Sequence, residues 1–199
     1  MSVTPNVGEH VSDEETIFSI SEGHLDSGLR GIPVGTCRTS YVDTIEGVHY
    51  VGYPVGDLAN LEEEDVIFLL MNKRLPDSDE SAEFRKELAY RGERMPTGAL
   101  RVLEHLTPGS GHPMDWLSIG IMAMGAAETT GDVRVDSMNL IARMPELMAR
   151  IFLLRGGNPE KLRPRNTELG LVESFVHMLG VDDDEAERMN RVLRFFFIL

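Results

Sequence analysis

Apolar positions along this chain change their spacing once. Between Gly28 and Leu58 they fall in short clusters, Ile32 and Val34, then Tyr41 and Val42, then Val48, Tyr50 and Val51, with Asp43 to Gly47 between the last two. Such clusters predict a small β-hairpin or meander. From Asn60 the spacing turns helical. Asn60 with Glu63 three residues on reads as a capping box, and Val66, Ile67, Leu69 and Leu70 form an apolar face that Pro76 brings to a stop. Phe84 and Leu88 then predict a short helix over about 79–91, and Leu100, Leu103 and Leu106 another over 96–106.

His112 and Pro113 open a longer helix, because proline suits the first helical position and Asp115 suits the positive first turn. Between Trp116 and Ala127 it is apolar nearly all round, mixing Leu117, Ile119, Ile121, Met122 and Met124 with small residues, and it is expected to lie buried between other helices. A long helix over 133–155 follows, with Pro145 inside it and Gly156 and Gly157 as its stop. Two more are predicted: one from about Leu169 to Leu179, and one that starts among the acids Asp182 to Glu185 and runs into Phe195, Phe196, Phe197, Ile198 and Leu199. That aromatic end has no glycine cap and asks for a docking partner or for covering sequence.

Charge narrows the field of partners. With 19 Lys and Arg against 33 Asp and Glu among 199 residues, the net charge is −14, which disfavours nucleic acid and anionic membrane surfaces. No apolar run approaches the roughly 20 residues needed to cross a bilayer, and no secretory signal is evident at residues 1–15. Cys37, the only cysteine, cannot form an intramolecular disulfide, so a reducing cytoplasm is the expected setting. Residues 1–27 read as a flexible arm that docks at most through Ile17, Phe18 and Ile20.

Generic catalytic and metal motifs are missing from the sequence: no phosphate loop, no dinucleotide glycine pattern, no His-Glu-x-x-His and no nucleophile elbow. The candidates that remain have plainer readings. His112 with Asp115, near His105, could be drawn as an acid/base or metal cluster, yet His112 reads better as a helix cap. His177 sits among apolar neighbours. The acidic runs Glu62 to Asp65 and Asp182 to Glu185 are expected to face solvent. Arg143, Arg150, Arg155, Arg163 and Arg165 are expected to pair with the abundant acids, and the methionines to fill a core or subunit interface.

Several blocks resemble the citrate synthase family. Gly28-Leu29-Arg30-Gly31-Ile32, Val42-Asp43 and Gly52-Tyr53 through Asp57-Leu58-Ala59 are similar to its N-terminal β-hairpin module; Leu69-Leu70 with Leu75-Pro76 is similar to its short helix and proline stop. His112-Pro113-Met114-Asp115 with Leu117 to Gly125 resembles its central interface helix, and Ile141 to Gly157 the next one. Phe175-Val176-His177-Met178-Leu179 resembles its Asn-Phe-Leu-x-Met-Leu block, with Ser174 where Asn is usual. Val51 stands where arginine is common in the family.

The resemblance implies an all-α fold: an incomplete citrate synthase-like helical large domain over 59–199, a small β-hairpin module over 28–58 and the arm over 1–27. It covers only the N-terminal part of the family pattern. In the family, the helix matching Asp183 to Leu199 leads into a His-Ala-Asp-His or His-Ser-Asp-His run that begins the oxaloacetate site, and the catalytic groups lie beyond it. Accordingly no catalytic, substrate-binding or metal residue is assigned here, and no cofactor is expected. The implied activity is that of the complete enzyme, condensing acetyl-CoA with oxaloacetate to citrate, with 2-methylcitrate formation as a variant. This chain alone is expected to be inactive. The implied partner is a second copy, meeting through the helices near 113–130 and 133–155. The competing expectation is a non-catalytic subunit that binds a full-length or complementary chain.

Overall fold

The computed structural model describes residues 18–28, 30–33 and 35–198. Expectations for Ile17, Leu29, Val34 and Leu199 fall outside them. The chain divides into two units, residues 1–37 and 38–199. In the first, a 3-10 turn spans Glu22–His24 and Ser21 caps its start, the Ser21 amide donating to His24 Nδ1 at 2.9 Å. No strand forms at Ile32.

The second unit opens with a three-stranded antiparallel sheet in the order β1 (Ser40–Asp43), β2 (Gly47–Tyr50), β3 (Tyr53–Pro54). Asp43 makes the first turn: its Oδ1 accepts from Ile45 N at 2.7 Å and Glu46 N at 2.8 Å, and Gly47 takes φ 85°. Tyr50 pairs with Tyr53 across a two-residue turn in which both Val51 (φ 52°) and Gly52 (φ 88°) are left-handed. Two-residue hairpins of this kind suit glycine and asparagine, so Val51 is held there against its own preference.

Eight α-helices follow among the described residues: α1 (Val55–Leu58), α2 (Glu63–Asn72), α3 (Ser78–Gly92), α4 (Thr97–Glu104), α5 (Pro113–Glu128), α6 (Val133–Arg155), α7 (Leu171–Met178) and α8 (Asp183–Ile198). The predicted helices all form, and α6 keeps Pro145 in its interior. One start differs. Asn60 is not the cap of α2; Glu62 is, with no side-chain cap bond, because the turn at Leu58 to Leu61 carries the chain two residues further before it coils. Asp77 caps α3 and Asp132 caps α6, each through side-chain bonds to first-turn amides, as short acidic side chains at that position do.

Helix α6 organises the interior. Leu147 and Ile151 pack with Ala99 and Leu103 of α4 and Trp116 and Met124 of α5; Met138 and Ala142 pack with Phe84 and Leu88 of α3; Ala149 packs with Phe175, Val176 and Met178 around α7. A fourth cluster joins Leu58, Val66 and Leu69 to Ile198 at the end of α8. Each fully buried aliphatic side chain contributes about 1.5–3 kcal/mol. Gly120 lets α5 approach α6 closely, since a Cβ there would sit 2.6 Å from Leu147 Cδ1. Helix α5 is expected to lie buried between other helices. Within one chain α4 and α6 bury the side carrying Trp116, Gly120 and Met124, and Met114 and Met122 are 56% and 74% exposed.

Candidate functional site

The acidic run on α2 behaves unlike the solvated surface expected of it. Glu63 and Glu64 are buried, and they meet the N-terminus of α7, where Glu64 Oε1 accepts from Leu171 N at 2.7 Å and Glu63 Oε1 accepts from Val172 N at 2.9 Å. The reason lies on the other element. Helix α7 starts with no side-chain cap of its own, and Gly170 before it has no Cβ to obstruct; a Cβ would lie 2.9 Å from Glu64 Oε1. Two carboxylates therefore serve as remote caps for a helix more than 100 positions away, an arrangement that no local pattern announces.

Arginines complete this cluster. Arg194 of α8 reaches Glu62 Oε2 at 2.5 Å and Glu63 Oε2 at 3.5 Å, while Arg85 of α3 stands 3.9 Å from both Glu62 Oε2 and Asp65 Oδ2. Glu64 Oε2 is buried without a hydrogen-bond partner. Burial raises the Glu64 carboxyl above its ordinary value, the neighbouring Glu63 adds to the rise, and the Leu171 amide opposes it. The carboxylates of Glu62, Glu63 and Glu64 lie within 4.8 Å of one another, close enough in principle for a cation. Two guanidinium groups and a helix N-terminus already supply the positive charge, so the cluster reads as a structural junction of α2, α3, α7 and α8.

Among the described residues, the histidines are spent on local structure. His112 Nδ1 accepts from Met114 N at 3.2 Å, the cap expected of it, and Asp115 Oδ2 accepts from His112 N at 2.9 Å, which makes the pair a capping box. His105 Nδ1 lies 2.7 Å from Arg101 O, and His177 Nε2 lies 3.1 Å from Pro164 O. The buried His49 stacks on Tyr41 at 4.5 Å. The arginines divide. Arg143 pairs with Glu128 and Arg150 with Glu146, as expected, whereas Arg155 donates to the carbonyls of Ser110 and Gly111 above the Trp116 ring, and Arg165 donates to Ala142 O. Those two hold backbone, not acids.

Two cavities of this unit share Glu63 in their lining. One of about 300 Å³ is walled by Val66, Leu70, Met144, Met148, Phe175 and Phe197, with Glu63 and Tyr50 as its polar members. Another of about 480 Å³ lies over the acidic junction between α3 and α7. No histidine lines either of them.

A helical architecture of this kind, organised around one long central helix behind a small antiparallel sheet, is shared with solved enzymes of one class. The fold matches a citrate synthase from Thermotoga maritima with a TM-score of 0.71 at 26% identity, covering 86% of this chain and 45% of that one. It matches a citrate synthase from Pyrobaculum aerophilum with a TM-score of 0.73 at 20% identity, covering 96% and 51%. In sequence, a family profile described as citrate synthase, C-terminal domain, matches residues 28–199. The citrate synthase of Synechocystis sp. is 31% identical over 160 residues, covering 76% of this chain and 39% of that protein. Citrate synthase 3, mitochondrial, of Saccharomyces cerevisiae is 37% identical over 182 residues, covering 77% and 37%. The chain belongs to the citrate synthase family. It spans about two fifths of the length of these two curated relatives.

Proposed function

We propose that these 199 residues form scaffold and interface of a citrate synthase, joining acetyl-CoA to oxaloacetate, and that the reacting groups lie outside them. The observation that carries this reading is that a family fold is present while, among the described residues, His112 caps α5, His105 and His177 meet backbone carbonyls, and the buried Glu63 and Glu64 meet the start of α7. The order of the matching sequence blocks supports placing the segment ahead of the family's His-x-Asp-His run. The condensation requires a carboxylate base and a hydrogen-bond donor within about 3 Å of the substrate carbonyl in a closed site. No metal or tightly held cofactor is part of this reading, and the cytoplasm is its setting; no described helix is long and apolar enough to cross a membrane.

A homodimer is part of the same proposal. Along α5 the exposed Met114, Ser118 and Met122 recur every four residues, with exposed Gly125 and Ala126 beyond them, which gives a flat apolar stripe suited to close helix contact. Sedimentation equilibrium tests it: the chain is expected to associate as a dimer, and Met122→Glu is expected to leave a folded monomer. Calorimetric titration tests the placement of the site. Oxaloacetate and acetyl-CoA are expected to give no saturable heat with the chain alone, and saturable heat from either would refute it.

A further inference from the structure

The remote cap of α7 leaves two oxygens over. Glu64 Oε1 takes the Leu171 amide and Glu63 Oε1 the Val172 amide, but neither Glu63 Oε2 nor Glu64 Oε2 has a hydrogen-bond partner. Arg194 Nε comes within 3.5 Å of Glu63 Oε2 without bonding to it, and Glu64 makes no ion pair among the described residues. Both oxygens are closed to solvent, in residues only 6% and 2% exposed, so a water molecule cannot serve them. Buried acceptors are ordinarily satisfied, and two orphans on neighbouring carboxyls need a donor small enough to be already inside.

Consecutive residues of a helix ordinarily point apart. Here both carboxyls bear on consecutive amides of α7, and together with Glu62 they bring oxygens within 4.8 Å of one another. One hydrogen answers both needs. On Glu64 Oε2 it removes one of two like charges, and donated to Glu63 Oε2 it partners the second orphan.

The surrounding charges do not do the same. Four cations line the cavity over the junction: Arg85 and Lys86 of α3, Arg165 ahead of α7, and Arg194 of α8. Arg194 is engaged with Glu62, Arg165 with Ala142 O, and Arg85 stands 3.9 Å from Glu62 and Asp65. Against them stand five acids, Glu62 and Asp65 of α2, Glu93 of α3, Glu168, and Glu173 of α7, so no surplus of positive charge is left to hold a second buried carboxylate. Tyr90 of α3 and Tyr50 of β2 are the other titratable groups lining the two cavities, and α6 contributes only apolar residues. Burial, then Glu63, raises the Glu64 carboxyl above its ordinary value, in keeping with a retained proton.

We propose that Glu63 and Glu64 form a proton-held latch, in which Glu64 Oε2 carries a proton that it donates to Glu63 Oε2, and that loss of this proton loosens the start of α7 from α2. The latch makes the α2–α7 junction pH-sensitive while the rest of the helical unit is not.

The test is hydrogen exchange at Leu171 and Val172 in the full chain, expressed as protection factors while the pH is raised from 4.5, alongside carbon NMR of the Glu64 carboxyl. The Glu64 carboxyl is expected to stay protonated above 4.5. Protection at the two amides is expected to fall by up to about 10-fold per pH unit until that proton is lost, and then to level off. Leu103 in α4 is expected to show no such step. Glu64→Gln keeps an oxygen for the Leu171 amide and supplies the hydrogen permanently, so its protection is expected to be flat with pH. Adding Glu63→Gln sets two amide NH2 groups against each other, and protection is expected to drop about 10-fold or more below that of the single variant. A Glu64 carboxyl that titrates at its ordinary 4.5, or wild-type protection that does not change with pH, overturns the latch, and both readings are made on the wild-type chain. A fall that persists unchanged in Glu64→Gln, or a double variant protected as well as the single one, overturns it too.

Discussion

Glu64 Oε1 accepts the backbone N–H of Leu171 at 2.7 Å, so the start of α2 caps the start of α7 across 107 positions. Removing that acceptor leaves a partly buried amide unpaired, at a cost of about 1–3 kcal/mol. Glu64→Ala is therefore expected to lower the urea midpoint and to speed hydrogen exchange through the first turn of α7 before that of α4.

The same residue predicts a pH trend with a definite sign. Burial, then Glu63, raises the folded-state value of Glu64 above its ordinary 4.5. A group raised in the folded state binds more protons there than in the unfolded chain. Its contribution is present below pH 4.5 and is lost as the pH climbs through the raised value. Urea unfolding of wild type and Glu64→Gln at a series of pH values from 4 upward checks this: the slope is expected to flatten in the variant.

Asp136 works in the other direction. The Thr130 amide, then the Thr129 and Thr130 hydroxyls, hold its carboxyl down from 3.8 to about 2, and Arg74 with the Asp77 amide does the same for Glu80, from 4.5 to about 2. Both contributions are present at neutral pH and are lost as the pH falls from the ordinary carboxylate range toward 2. Asp136→Asn is expected to shrink the acid-side loss of thermal stability at any salt concentration. Glu80→Gln is expected to do so mainly at low salt, because its main partner is an exposed ion pair.

Two glycines of α5 give a paired comparison. A Cβ at Gly120 would lie 2.6 Å from Leu147 Cδ1, and Leu147 is fully buried, so Gly120→Ala is expected to destabilise by about 1–3 kcal/mol through overpacking. Gly125 meets nothing within 4 Å, and Gly125→Ala is expected to stabilise the monomer by about 0.5–1 kcal/mol. Denaturant midpoints at low protein concentration separate the two.

Val51 holds φ 52° in the turn between β2 and β3. A β-branched residue there carries about 1–3 kcal/mol of backbone strain. Val51→Asn is expected to raise the melting temperature despite losing a half-buried side chain, and a lower value would show that its packing outweighs the strain.

How much of this was legible beforehand depended on whether the determinant was local. The helices from α3 to α8 could be read because apolar spacing, Pro113 and Gly156 act within a turn or two of their own position. The cap at His112 was legible for the same reason. The remote capping of α7 by Glu63 and Glu64 was not, since contiguous acids on a helix usually meet water and only the arrival of Gly170 and Leu171 changes their surroundings. Which side of α5 faces α4 and α6 was not legible either: an all-round apolar pattern shows what tolerates burial, not which neighbours arrive. Placing the reactive groups beyond these residues came from the resemblance, not from spacing.

The most direct test is a coupled assay of CoA release by the purified chain, given saturating acetyl-CoA and oxaloacetate. The account predicts a rate equal to that of buffer alone. Turnover that disappears when a residue of this chain is substituted would place the chemistry inside these 199 residues and contradict it.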